Sequence, residues 1–103
     1  MSDGAAPGDM KIAAVVLTLR VENNSKFVRG KKRAIESIER YVLGPCDAKR
    51  RPSGEYEIKI SYYTDEGLDK IVDELLRDIF LEADQRNCFS ESEVRLEGTD
   101  QQW

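Results

Sequence analysis

The sequence predicts a two-layer α/β sandwich, on three observations: two stretches carry apolar side chains at every second residue, two carry them every three or four, and the two kinds alternate along the chain. The order is strand, helix, strand, helix, strand, which gives a three- to four-stranded sheet with both helices on one face. An α+β arrangement fits the same pattern. If each helix is a right-handed crossover, neighbouring strands run parallel. A ferredoxin-like variant that has lost or disguised one strand is the alternative.

Residues 1–10 are small, polar and turn-forming, and read as a flexible leader to a single domain over 11–97. From Ala13, the odd positions Val15, Leu17, Leu19 and Val21 are apolar while Thr18, Arg20 and Glu22 are polar, the period of a strand. A hairpin turned at Asn23-Asn24, pairing Lys26 to Val28 with this strand, is a further possibility. Asn23-Asn24-Ser25 matches the glycosylation sequon, which has no consequence without a secretory signal. Ala34, Ile35, Ile38, Tyr41 and Val42 then share a helical face, predicting a helix over Lys31 to Leu43 that stops at Gly44-Pro45.

Residues 44–54, with two prolines and a glycine at each end, have no period and read as a loop. Tyr56, Ile58, Ile60 and Tyr62 alternate with Glu57, Lys59 and Ser61, a second strand. Thr64 is a suitable helix cap, and Leu68, Ile71, Val72, Leu75, Leu76, Ile79, Phe80 and Ala83 form one apolar stripe. Glu66 with Lys70, Asp73 with Arg77 and Glu82 with Arg86 place an acid four residues before a base, so the polar face of this helix needs no ligand. A short third strand is expected within Glu93 to Glu97, followed by a tail over 98–103.

With 103 residues the chain builds one core, and the 35% of charged residues predicts a strongly solvated surface. The longest apolar stretch, Ile12 to Leu17, is too short to span a bilayer, and no secretory signal precedes it, so neither membrane nor secretion is indicated. Two cysteines, Cys46 and Cys88, are too few for a disulfide scaffold and fit a reducing cytoplasm. Cys88-Phe89 is expected to continue the core and Cys46 to lie exposed. The absence of histidine removes the commonest general base and metal ligand. No catalytic, metal or cofactor site is therefore assigned. The helix carboxylates Asp69, Asp73, Glu74, Asp78 and Glu82 read as a solvated face rather than a cation site.

Charge is uneven: residues 1–52 carry eleven basic and six acidic side chains, and 53–103 carry five and fourteen. The basic excess lies in Lys26, Arg29, Lys31, Lys32 and Arg33 at the start of the first helix and in Lys49, Arg50 and Arg51 beyond its end. Cations entering a helix oppose its dipole and invite an explanation. One is phosphate or nucleic-acid binding, with backbone donors near Gly30; the other, favoured, is neutralisation by the acidic second helix. A phosphate-loop motif is absent.

Ile12, Ala14 and Val16 put apolar side chains on the sheet face that should be wet, and Tyr63 points the same way. Either the tail with Trp103 or a second subunit should cover that segment. The mixed charges on the same face, Arg20, Glu22, Glu57, Lys59, Arg95 and Glu97, can pair across strands. The first expectation is thus a small non-enzymatic protein-interaction module, self-associating through the sheet face. The second is a nucleic-acid or phosphate binder using the basic cluster, and the third an enzyme using carboxylates and tyrosines at a subunit interface.

Overall fold

A computed structural model describes residues 9–23 and 30–103. Four strands and two helices follow in the order β1 (Lys11–Asn23), α1 (Lys31–Ile38), β2 (Lys49–Arg50), β3 (Tyr56–Tyr62), α2 (Asp65–Gln85) and β4 (Cys88–Leu96). The sheet order is β2-β3-β1-β4. β1 is central: Leu17 lies opposite Tyr56 of β3 on one side, and Val15 opposite Leu96 of β4 on the other. All neighbours are antiparallel, which corrects the parallel expectation. Each helix instead joins two strands with a third lying between them, the interleaved β-α-β order of a ferredoxin-like sandwich.

The disguised strand is β2, which pairs Lys49 with Glu57 and Arg50 with Tyr56 inside the segment expected to be a loop. Two residues carry no periodicity. β4 is also longer than expected, at nine residues. Its inward positions are Cys88, Ser90, Ser92, Val94 and Leu96, and the two serines hide the apolar alternation. Phe89 points outward and is exposed, not core. The hairpin over Lys26 to Val28 lies outside the described residues.

The inner face of the sheet, α1 and α2 share one core, centred on Val15, Leu17, Ile58, Val94, Ile38, Val72 and Ile79. Thr64 caps α2, its Oγ1 accepting from the Gly67 N–H at 3.0 Å. The buried stripe of α2 is Leu68, Val72, Leu75, Ile79 and Ala83, a narrower set than predicted, with Ile71 and Phe80 exposed on its flanks. After Ile38, α1 continues as a single π turn, Glu39–Leu43, then a 3₁₀ turn, Gly44–Cys46. The wider turn shifts the buried face onward by one residue, so Val42 and Leu43 are buried while Tyr41, expected in the core, is exposed.

Three elements meet at Gly30. Its N–H and that of Lys31 donate to Asn23 Oδ1, at 3.2 and 2.9 Å, while a Cβ at Gly30 would sit 2.5 Å from the Arg86 carbonyl oxygen. Only glycine lets the start of α1 pack this closely against the end of α2. Among the described residues no helix is long and apolar enough to cross a membrane.

Candidate functional site

The outer face of the sheet differs from expectation at Val16. This residue is 1% exposed within the single chain. Arg51, just beyond β2, donates to Glu57 Oε2 at 3.0 Å and to Glu97 Oε1 and Oε2 at 2.9 and 3.0 Å. Glu57 belongs to β3 and Glu97 follows β4, with β1 between them, so the guanidinium must pass over β1 beside Val16. Glu57 and Arg95 lie directly opposite Val16 on the two neighbouring strands, so that their stems, with the Arg51 bridge, account for its burial. The hydrogen bonds to Glu97 and then Glu57 raise the Arg51 pKa further, holding its charge.

The tail takes another course. It turns at Gly98, where φ is +80°, and runs back along β4, with Gln102 bridging Arg95 and the Trp103 N–H donating to the Val94 carbonyl at 2.8 Å. Trp103 Nε1 donates to Asp69 Oδ1 of α2 at 2.9 Å, on the helix side of the sheet. Around Arg51 the outer-face charges pair as Arg20 with Glu91 and Arg95 with Glu55, both at 3.6 Å. What remains apolar and open there is a cluster at one end, Met10, Ile12 and Tyr63, with Ala14 half-buried, and the single ring of Phe89 at the other.

The basic cluster is divided by the fold. Lys31, Lys32 and Arg33 form the first turn of α1, whereas Lys49 and Arg50 make up β2. The eight residues of α1 and five of the π turn put these groups roughly 20 Å apart at 1.5 Å per residue. Arg51 is held by its two carboxylates, Lys31 lies 3.5 Å from Glu22, and Arg50 packs over the Tyr56 ring at 5.9 Å. Lys26 and Arg29 lie outside the described residues. The Gly30 and Lys31 donors that the phosphate reading required are taken by Asn23. The compensating reading is also not realised as contacts: among the described residues no ion pair joins α1 to α2, and none of the three acid–base pairs along α2 closes. The polar link between the helices is Ser37, buried, donating to Glu82 Oε1.

Two concavities flank the exposed Tyr41. One, of about 740 Å³, opens between α1, the π turn and the end of α2, and has Arg33, Arg40 and Arg86 in its lining. Glu36 and Glu39 are the acids on its wall, and Glu39 Oε2 accepts from the Tyr56 hydroxyl at 2.6 Å. The other, of about 400 Å³, is a more apolar groove along Ile58 to Ser61 of β3, closed by Ile71 and by Pro45-Cys46. Cys46 is exposed as a residue, but its Sγ turns inward to the Val42 carbonyl at 3.4 Å. Burial and then the Asp78 carboxylate push the thiol pKa up, the reverse of what activates a nucleophile. Cys88 is buried. Among the described residues no three His, Cys, Asp or Glu side chains are placed to share a metal.

Sequence reasoning missed Arg40, Tyr41 and Arg86. The spacing of Arg33, Ser37 and Arg40 along one helical face was a usable signal for two of the positions; the arrival of Arg86 from α2 was not. No family model, curated protein or solved structure matches the chain.

The Tyr56–Glu39 bond fastens the π turn to the sheet and has a pH signature. Burial, then the hydrogen bond and charge of Glu39, push the Tyr56 pKa up to about 12 from an ordinary 10. The raised value favours the neutral phenol in the folded state. Its contribution is present below pH 10 and lost as pH rises from 10 to about 12. Tyr56→Phe is expected to flatten the loss of stability across that window, measured by chemical denaturation at stepped pH; an unchanged slope would show that Tyr56 titrates normally.

Proposed function

We propose that the domain is a non-enzymatic interaction module that acts through protein contacts and self-associates through the outer face of its sheet. The observation that carries this reading is the open apolar end of that face, where Met10 is 56%, Ile12 64% and Tyr63 55% exposed. Large apolar side chains clustered on a charge-rich surface favour burial against a partner. A second copy is a suitable partner because the rest of the face carries both signs of charge, so a twofold axis can set cations of one subunit against carboxylates of the other. The two free thiols suit a cytoplasmic setting.

Ile12 is the residue to test, because its side chain is exposed and its removal leaves the core intact. The wild type is expected to sediment as a dimer at micromolar concentration with a melting temperature that rises with protein concentration, and Ile12→Lys as a folded monomer with an unchanged circular dichroism spectrum and a melting temperature independent of concentration. A wild type that stays monomeric up to hundreds of micromolar would overturn self-association.

A further inference from the structure

The arginine-lined cleft points to a ligand independently of the sheet face. Arg33 and Arg40 stand seven residues apart on α1 and its π turn, with Ser37 between them, and Arg86 meets them from the C-terminal end of α2. Among the described residues none of the three forms an ion pair. Glu36 and Glu39 stand on the same wall, the latter accepting from the Tyr56 hydroxyl, so the lining carries a net charge of one positive, and Glu82, accepting from Ser37, lies beside it.

The three arginines line one cleft without a direct ion pair among the described residues, and Arg33 has an adverse interaction with the α1 dipole, whose first turn contains no acid. An anionic ligand would relieve that interaction and give the three arginines a partner. Guanidinium forks match phosphate oxygens in shape as well as charge. At the rim, Tyr41 is 61% exposed, its ring 5.9 Å from the Arg40 guanidinium carbon. An exposed aromatic ring beside a cation is a stacking platform for a flat, electron-rich ring. The cavity, about 740 Å³, lies within the range of small-ligand sites.

We propose that this cleft binds a nucleoside phosphate, with Arg33, Arg40 and Arg86 holding the phosphates and Tyr41 stacking on the base. The site shares only Arg33 with the basic cluster read from the sequence, and it does not depend on the oligomeric state. The phosphates enter between α1 and the end of α2, and the base lies outward over the π turn. That turn is what displaces Tyr41 from the core to the rim.

Calorimetric titration of the full chain at low salt tests this, with adenosine diphosphate, inorganic pyrophosphate and adenosine as separate probes. The diphosphate should bind most tightly, pyrophosphate more weakly and adenosine least. Arg40→Gln and Arg86→Gln should each weaken the diphosphate and pyrophosphate by about tenfold or more, as expected for loss of a charge-assisted hydrogen bond. Tyr41→Ala should weaken the diphosphate severalfold and leave pyrophosphate unchanged. Lys32→Gln, on the same helix but outside the cleft, should change neither. Absence of diphosphate binding at millimolar concentration would overturn the proposal. So would adenosine binding as tightly as the diphosphate, or an equal loss in Lys32→Gln and Arg40→Gln, which would mark diffuse attraction to a basic surface.

Discussion

Ile79→Ala is expected to lower the unfolding free energy by about 2 to 5 kcal/mol, whereas Phe80→Ala, one residue on, should change it by no more than about 0.5 kcal/mol. Ile79 is fully buried and belongs to the core shared by the sheet and both helices, so its truncation leaves a void that packed neighbours fill only in part. Phe80 is the larger side chain but is 52% exposed on the flank of α2. The contrast separates the stripe that carries stability from the wider set of apolar residues around it. Urea denaturation of both variants measures it, and equal losses would mean that the flank of α2 is buried against something.

Val16→Lys is expected to cost about 3 kcal/mol or more, and to act on the fold rather than on association. Val16 is 1% exposed on the face crossed by the Arg51 bridge and lies opposite Arg95, so a lysine there places an ammonium in a closed site among existing cations. The outward escape open to a long side chain on a bare sheet is occupied by the Glu57–Arg51–Glu97 bridge. Ile12→Lys, four residues earlier on the same face and 64% exposed, meets no such obstacle. Thermal melts of the two variants distinguish the positions. Equal melting temperatures would show that the bridge does not close over Val16.

The strands whose apolar residues alternate with charges, β1 and β3, were legible because one side of each faces the core and the other faces water. β4 was half legible: Val94 and Leu96 alternate with charges, but Ser90 and Ser92 occupy inward positions without an apolar signal. β2 was not legible at all, since two residues cannot display a period and Lys49 and Arg50 read as surface charge. The π turn was equally silent. A pattern of three- and four-residue steps assumes a uniform helix, and one wider turn moves Tyr41 to the surface.

The candidate sites divide in the same way. Ile12 and Tyr63 were marked as apolar residues on a wet face, and they are exposed there, while Val16 in the same row is closed off by an arginine 35 positions later in the chain. Arg51 itself read as one of a run of free cations, because the run shows nothing of the carboxylates that fold against it. Arg33, Arg40 and Arg86 come together only when α1 and α2 lie side by side.

The sequence by itself determined two helices alternating with β1, β3 and the end of β4, the inward rows of β1 and β3, the capped second helix and a single core, because each follows from periodicity and local chemistry within a dozen residues. Only the tertiary structure decided the strand order, the cover over Val16, the path of the tail and the joining of three arginines around one cleft. These are contacts between residues distant in the chain, set by the fit of the packed layers, and local spacing carries no record of them.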